Sequence, residues 1–336
     1  MSFEAGRELG RANLEVFSET LLSLARRDRN VVAVTSDSRG SGKLTPFAAA
    51  VPEQLVEVGI AEQNLVGTAA GLASTGKVVF AVSPASFLTA RALEQIKNDV
   101  CYSDRPVKLI GISAGVSYGA LGSTHHSTHD LAALRALDNI TIIVPADNFE
   151  AAEAIKTAAE MSHPIYVRFG KRPLYHLHGP AARFEPGKAI HVRNGTDVAF
   201  IATGETAYHA LMASDQLHSE GLSCRVVSMH TVKPLDVDAV VSAATDCRAL
   251  VTVEEHSVFG GLGEACAAVL MQAGIPIPFK IVGFPDEYMV AGSQLEIFDH
   301  YGISAKGLAQ TARGLLAGDT RVSGTNHFKQ RRATKP

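Results

Sequence analysis

Residues 55–88 read LVEVGIAEQNLVGTAAGLASTGKVVFAVSPASFL. Leu55–Val58 is a short apolar run, Ala61–Ser74 a helix rich in alanine and glycine, and Val78–Val82 a second apolar run that stops at Ser83-Pro84. Such runs, bounded by turn residues, are the mark of buried strands. The same alternation extends outward. A helix over residues 11–28 precedes a strand at Val31–Val34, which ends in Thr35-Ser36-Asp37-Ser38-Arg39-Gly40. Downstream come a helix at Ala90–Val100, a strand at Val107–Ile112, a helix at Asp130–Leu137, a strand at Ile140–Val144, a helix at Phe149–Met161 and a strand at Ile165–Phe169. Strands alternating with helices predict an α/β fold with a doubly wound, mostly parallel sheet.

The rhythm breaks at 171–187, where Pro173, Gly179, Pro180, Pro186 and Gly187 cluster as in a linker. A second, smaller α/β series follows. Its strands are expected at Val198–Ala202, Cys224–Ser228, Ala249–Val253 and Lys280–Val282. Its helices are expected at Thr206–Ser219, Val237–Ala244, Gly263–Ala273 and Ala305–Leu316. The division is thus 8–170, a linker at 171–187, 188–317, and a tail at 318–336. That tail sets Arg321, Lys329, Arg331, Arg332 and Lys335 against Asp319 alone, and it reads either as a disordered terminus or as an arm on a partner subunit.

The 336 residues are 46% hydrophobic and 19% charged, with a formal net charge of -3. Two cores can be filled at this length, and the charge attracts neither nucleic acid nor an anionic membrane. No apolar run approaches the ~18 residues of a membrane span. Cys101, Cys224, Cys247 and Cys266 form no CxxC pair and sit among apolar neighbours, as buried reduced thiols do. The opening MSFEAGRELG lacks the apolar centre of a secretory signal, so a cytoplasmic location is expected.

Polar residues gather where strands end, the place where open α/β sheets bind ligands. Glu62 stands at a strand-to-helix junction, where it also reads as a first-turn glutamate complementing the helix dipole. Phe87 follows the strand Val78–Val82 and also reads as a core aromatic. In GALGSTHHSTHD, Gly119–Asp130, three histidines and an aspartate fall within six positions. That density in a small-residue loop points to catalysis, with a zinc site through His125 and His129 as the other reading.

Taken in order, GIAEQ (59–63), SFL (86–88), GSTHHSTHD (122–130) and VPAD (144–147) resemble the pyrimidine-binding domain of transketolases. TGETA (203–207), Lys233-Pro234-Leu235 and EEHSVFGGLGE (254–264) are similar to the family's C-terminal domain, so the resemblance runs from about Val31 to Leu316. The GDG…N motif by which such enzymes hold a divalent metal on the cofactor diphosphate does not occur. The chain therefore resembles the C-terminal subunit of a split transketolase, and THH at Thr124–His126 in place of THQ fits that branch.

The resemblance implies thiamine diphosphate as cofactor. Mg²⁺ or Ca²⁺ would be held by an N-terminal, diphosphate-binding partner subunit, with no metal ligands in this chain. An α2β2 heterotetramer is implied, with self-pairing through this chain's own domains. Glu62 would hydrogen-bond N1′ of the aminopyrimidine, favouring the imino tautomer whose N4′ takes the C2 proton, a role in which the carboxyl must hold or share a proton. Phe87 would stack on the pyrimidine. Asp37 and Ile60 would lie beside the cofactor. His125 would face the donor ketose during carbon–carbon cleavage. Ser41 and one of Arg168, Lys171 and Arg172 would meet the acceptor's acidic group. The activity implied is transfer of a two-carbon ketol unit from a ketose to an aldose. Leu121 replaces an aspartate that reads a sugar hydroxyl in many relatives, and His129 a glutamate, which points to an unusual ketose phosphate or another acidic sugar.

IAEQ and the AAGLA of Ala69–Ala73 are also similar to 1-deoxyxylulose-5-phosphate synthase, and the β subunits of 2-oxo acid dehydrogenases are shorter split relatives. A non-catalytic regulatory subunit is the reading from another class. The presence of Glu62, Phe87 and His125 together argues against it.

Overall fold

Alternate residues of the central strands point into two different cores, which is why those strands read as unbroken apolar runs. The computed structural model describes residues 8–318; the basic 318–336 segment lies, but for Gly318, outside the described residues. In chain order the first half comprises β1 (Leu9–Ala12), α1 (Asn13–Arg27), β2 (Val31–Thr35), α2 (Thr45–Ala50), β3 (Leu55–Glu57), α3 (Glu62–Ser74), β4 (Val78–Pro84) and α4 (Ala85–Arg91). There follow α5 (Leu93–Gln95), a π-helical segment at Ile96–Tyr102, β5 (Lys108–Ile112), α6 (Asp130–Arg135), β6 (Thr141–Ile143), α7 (Asn148–Glu160), β7 (Ile165–Phe169) and β8 (Pro173–Tyr175). The second half comprises β9 (Ile190–Arg193), β10 (Val198–Ala202), α8 (Thr206–His218), β11 (Cys224–Ser228), β12 (Thr231–Lys233) and α9 (Val237–Asp246). It closes with β13 (Ala249–Ser257), α10 (Leu262–Gln272), β14 (Phe279–Phe284), α11 (Gln294–His300) and α12 (Ala305–Leu316).

Seven strands form the larger sheet in the order β12-β6-β7-β5-β4-β2-β3. All pairings are parallel except that of β12 with β6. On one face Val32, Val34, Val79, Ala81 and Leu109 pack under Leu65, Val66 and Ala69 of α3 and under Ile96 and Val100. On the other, Val31, Ala33, Phe80, Val82 and Ile110 meet Leu14, Phe17 and Leu21 of α1 and Ile155 of α7. Phe80 is fully buried, a burial worth about 1.5–3 kcal/mol. The smaller sheet, β14-β13-β10-β11-β9, is parallel except at its β9 edge. It is likewise packed on both faces, by α8 and α12 on one side and by α9 and α10 on the other.

Three local features depart from the sequence expectation. The helix expected at Ala90–Val100 starts earlier, at Ala85, because Pro84 ends β4 and its missing N–H costs nothing at a helix start. That helix then breaks at Ala92 (φ -104°, ψ 19°) and resumes as the π segment. Segment 171–187 carries β8, which pairs antiparallel with β1, and is held further by Leu177 N donating to Asp147 Oδ2 (2.9 Å) and by a 2.7 Å contact between His178 Nε2 and Glu150 Oε1. Strand β12, from the second half, closes the edge of the first half's sheet beside β6. All four cysteines are buried and free. Among the described residues no helix is long and apolar enough to cross a membrane.

The two halves meet at a buried polar network. Arg168, at the end of β7, donates to Asp130 Oδ1 (2.9 Å) and to the Glu255 carbonyl (3.1 Å), while Tyr166 donates its hydroxyl proton to Asp130 Oδ2 (2.6 Å). Glu255, on β13, accepts from Val116 N of the first half (2.8 Å). Gln294 Nε2 bridges Glu255 Oε1 and Glu205 Oε2 at 2.8 and 2.9 Å. Burial, reinforced by Glu255, pushes the Glu205 carboxyl up from 4.5 to about 8. Burial raises Glu255 to about 7 against the opposing pull of Arg168. Two like charges so close and so dry cannot both ionise without cost.

The sign of the resulting pH dependence follows. Folded Glu205 keeps a proton that the unfolded chain has already lost, so the stability it contributes is complete below about pH 4.5 and disappears as pH rises through about 8. Glu205→Gln keeps the shape and removes the titration. Thermal melts between pH 5 and 9 should show the wild type losing several degrees relative to Glu205→Gln as pH rises, and parallel curves would refute the assignment.

Candidate active site

Because its six parallel strands all point one way, the larger sheet delivers their carboxyl ends to one edge. The neighbouring order β5-β4-β2-β3 sets four loops side by side there. Ser36 Oγ at the end of β2 lies 3.0 Å from Ser83 Oγ at the end of β4 and 2.7 Å from Ser38 Oγ, tying two of those strand ends together. Each loop carries residues singled out in the sequence.

After β3 the chain turns through Gly59 (φ +76°), whose positive φ suits glycine. Ile60 follows at 73% exposure, and Glu62 enters α3 in its first turn, where a negative charge suits the helix dipole. The Glu62 side chain is only 3% exposed, and Arg91 Nη1 donates to both its oxygens, at 3.1 and 3.0 Å. After β4, α4 carries Phe87 and, one turn on, Arg91. The guanidinium carbon lies 4.3 Å from the centre of the Phe87 ring, within the range of a cation–π contact.

After β5, the loop to α6 is closed at its neck by a two-way backbone pair between Gly115 and Ser127 (3.2 and 2.7 Å). Its three histidines diverge. The His125 ring meets Phe87 edge-on (5.5 Å between centres) and Tyr118 edge-on (5.2 Å), with Nδ1 3.0 Å from Thr124 Oγ1. His126 is buried, its Nε2 3.0 Å from the Gly119 carbonyl, and burial holds its pKa below the usual histidine value. His129 is exposed and precedes α6. The zinc reading of this loop finds no support: among the described residues no group of three or more His, Cys, Asp or Glu could hold a metal ion.

The contacts thus run in an unbroken series, Glu62–Arg91–Phe87–His125–Tyr118, and on to Lys171, whose Nζ lies 4.5 Å from the centre of the Tyr118 ring. Asp37 and Ser41 are exposed in the loop after β2. Lys171 and Arg172 are exposed beyond β7. Arg168 is not with them: at 4% exposure, committed to Asp130 and to the Glu255 carbonyl, it serves the contact between the halves. Sequence reasoning missed Arg91 and Tyr118. Arg91 had a signal, since a cation four residues beyond an aromatic on one helix shares its face.

A planar, nitrogen-bearing aromatic ring that stacks on Phe87 and presents a ring nitrogen to Glu62 suits this cradle. The Arg91 guanidinium stands there, over Phe87 and hydrogen-bonded to both Glu62 oxygens.

Known proteins place the chain. Residues 10–175 match the family model described as "Transketolase, pyrimidine binding domain", and residues 187–308 the one described as "Transketolase, C-terminal domain". A subunit of an apulose-4-phosphate transketolase from Phocaeicola vulgatus is 46% identical over 88% of this chain and 95% of its own. Its namesake from Actinobacillus succinogenes is 38% identical, over 90% of this chain and 97% of its own. The solved structure of a "Split gene transketolase, inactive beta4 tetramer" superposes with a TM-score of 0.81 at 37% identity, over 92% of this chain and 99% of that one. Family models over both halves and relatives matched nearly end to end leave one conclusion: the chain belongs to the transketolase family, as the C-terminal subunit of a split transketolase.

Proposed function

We propose that this subunit supplies the pyrimidine-binding half of an active site completed by an N-terminal, diphosphate-binding partner. The assembly is an α2β2 heterotetramer in the cytoplasm, built around paired copies of this chain. The observation that carries the reading is the convergence of Glu62, Phe87 and His125, from three successive strand ends, on one continuous contact series.

Thiamine diphosphate, when bound, supplies the carbon nucleophile that a two-carbon ketol transfer requires. The partner subunit contributes Mg²⁺ or Ca²⁺ for its diphosphate. This chain's residues bind, orient and manage protons. Glu62 Oε1 or Oε2 holds the proton shared with the pyrimidine ring nitrogen, its side chain only 3% exposed beside Arg91. Phe87 fixes the plane of that ring through offset stacking, worth about 0.5–1.5 kcal/mol beyond its buried area. His125, between the Phe87 and Tyr118 rings, is held where it can move a proton at the donor sugar's reacting oxygens. Ile60 and Asp37 flank the cofactor. Ser41, Lys171 and Arg172 receive the anionic end of the sugar, with Arg168 withdrawn from that task by its buried pair with Asp130.

The substrate is a ketose phosphate. The two apulose-4-phosphate transketolase relatives favour apulose 4-phosphate within that class. Leu121, 58% exposed on the His125 loop, offers no hydrogen bond to a sugar hydroxyl.

Co-purified with its partner and supplied with thiamine diphosphate and Mg²⁺, the chain should transfer two carbons from a ketose phosphate; alone it should be silent. Turnover with pyruvate as sole donor would instead favour a deoxyxylulose-phosphate synthase. In the complex, Glu62→Gln should remove measurable turnover, and full activity would end the proposal. His125→Ala should lower kcat by about 10²–10⁴-fold, the range of a lost acid–base group, while leaving cofactor affinity within a few-fold.

A further inference from the structure

Arg91 makes, with its own side chain, the two contacts assigned above to the cofactor's pyrimidine. Its guanidinium lies over the Phe87 ring at 4.3 Å, and its Nη1 reaches both Glu62 oxygens at 3.1 and 3.0 Å. The guanidinium is flat, stacks on aromatic rings and bears nitrogen, so it matches the shape of an aminopyrimidine edge; it differs in donating to both Glu62 oxygens, where the ring nitrogen would share the carboxyl's own proton. We infer that Arg91 is an internal stand-in for the pyrimidine: it occupies the Glu62–Phe87 cradle in the lone subunit and must leave it before the cofactor can seat.

The inference rests on the reading of Glu62 and Phe87 as the pyrimidine site. Three further observations support it. Glu62 is 3% exposed whereas the Arg91 side chain is 49% exposed, so of the two partners the arginine is the one able to swing away. Arg91 occupies the last position of α4, and the helix breaks at Ala92 immediately after it, so its backbone is released from regular helix on one side. Arg91 Nη1 pairs both Glu62 oxygens, so the lone half-site keeps that charge satisfied until a ligand arrives.

A ligand that must displace a resident group binds with an affinity reduced by the fraction of sites still closed. Because the Arg91 side chain is half exposed, solvent competes for its end of the pair, which makes the arginine displaceable. Removing it should tighten cofactor binding by about 3- to 30-fold. The same removal should lower the melting temperature of the lone chain. A residue that merely props the fold would lower the melting temperature and weaken the cofactor as well. A residue that holds the seated cofactor would weaken binding alone.

The test is calorimetric titration of thiamine diphosphate, with Mg²⁺ present, into the two-subunit complex carrying wild-type chain, Arg91→Met or Arg91→Lys, paired with thermal melts of each chain alone. Tighter binding by Arg91→Met, an intermediate affinity for Arg91→Lys, and a lower melting temperature for the lone Arg91→Met chain are expected. Lysine keeps the charge and loses the flat stack. Equal or weaker binding by Arg91→Met overturns the inference while leaving the pyrimidine site intact. Failure of the wild-type complex to bind the cofactor at all, or full turnover by Glu62→Gln, overturns the underlying site itself. If Arg91→Met does not fold, Arg91→Lys decides alone, since a stand-in predicts tighter binding for it and a cofactor ligand predicts weaker.

Discussion

The common direction of six strands governs everything else in this molecule. A parallel strand needs a crossover before its neighbour can start, so every loop that follows a strand emerges at the same edge of the sheet. With β5, β4, β2 and β3 adjacent, residues as far apart in sequence as Asp37, Glu62, Phe87 and His125 arrive on neighbouring loops. The two-sided core that holds those strands, with Phe80 and its neighbours on one face and Val79, Ala81 and Leu109 on the other, makes the edge rigid. The loops can then carry chemistry without having to fold it.

The buried carboxylates divide into two kinds by what faces them. Glu205 and Glu255 have each other, one shared amide from Gln294 and the edge of the Arg168–Asp130 pair. Burial drives both toward the protonated form, and the result is an internal seam between the halves. Glu62 faces a half-exposed cation at the sheet edge instead. The seam lies between the two halves, whereas Glu62 is buried against a partner whose own side chain is half exposed. Arg168 belongs to the first group although its sequence position, two residues before Gly170 and beside Lys171 and Arg172, suggested the second. The difference is that β7 runs to Phe169, so Arg168 is still in the sheet and under the second half, whereas Lys171 and Arg172 lie past its end.

Legibility in the sequence tracked the range of the interactions. Apolar runs such as Val31–Val34 and Ile165–Phe169 marked strands because both their faces are buried, and Glu62, Phe87 and His125 were visible as polar or aromatic residues just past strand ends. What stayed hidden depended on partners distant in the chain. β12 has three residues and gains its place only by pairing with β6, some ninety positions earlier. β8 lies in a proline-containing stretch that becomes a strand because β1 is beside it. Tyr118 matters only because the loop, closed by Gly115 and Ser127, folds its ring onto His125. Among three similar histidines, no local rule distinguishes the one that faces Phe87 from the one turned inward to Gly119.

Dividing an enzyme between two chains imposes a demand that a single-chain relative does not meet. Each half must be a stable folded object before its site is complete, yet the groups it contributes are ones that a finished site would desolvate. In this chain the demand is met unevenly. The His125 loop is closed at its neck by backbone hydrogen bonds, and His126 anchors it from within. Glu62 instead is satisfied by a side chain, Arg91, which donates to both its oxygens. That arginine is half exposed and sits one helical turn from Phe87. Ile60, beside that pair, remains 73% exposed, so this part of the sheet edge is apolar surface facing outward.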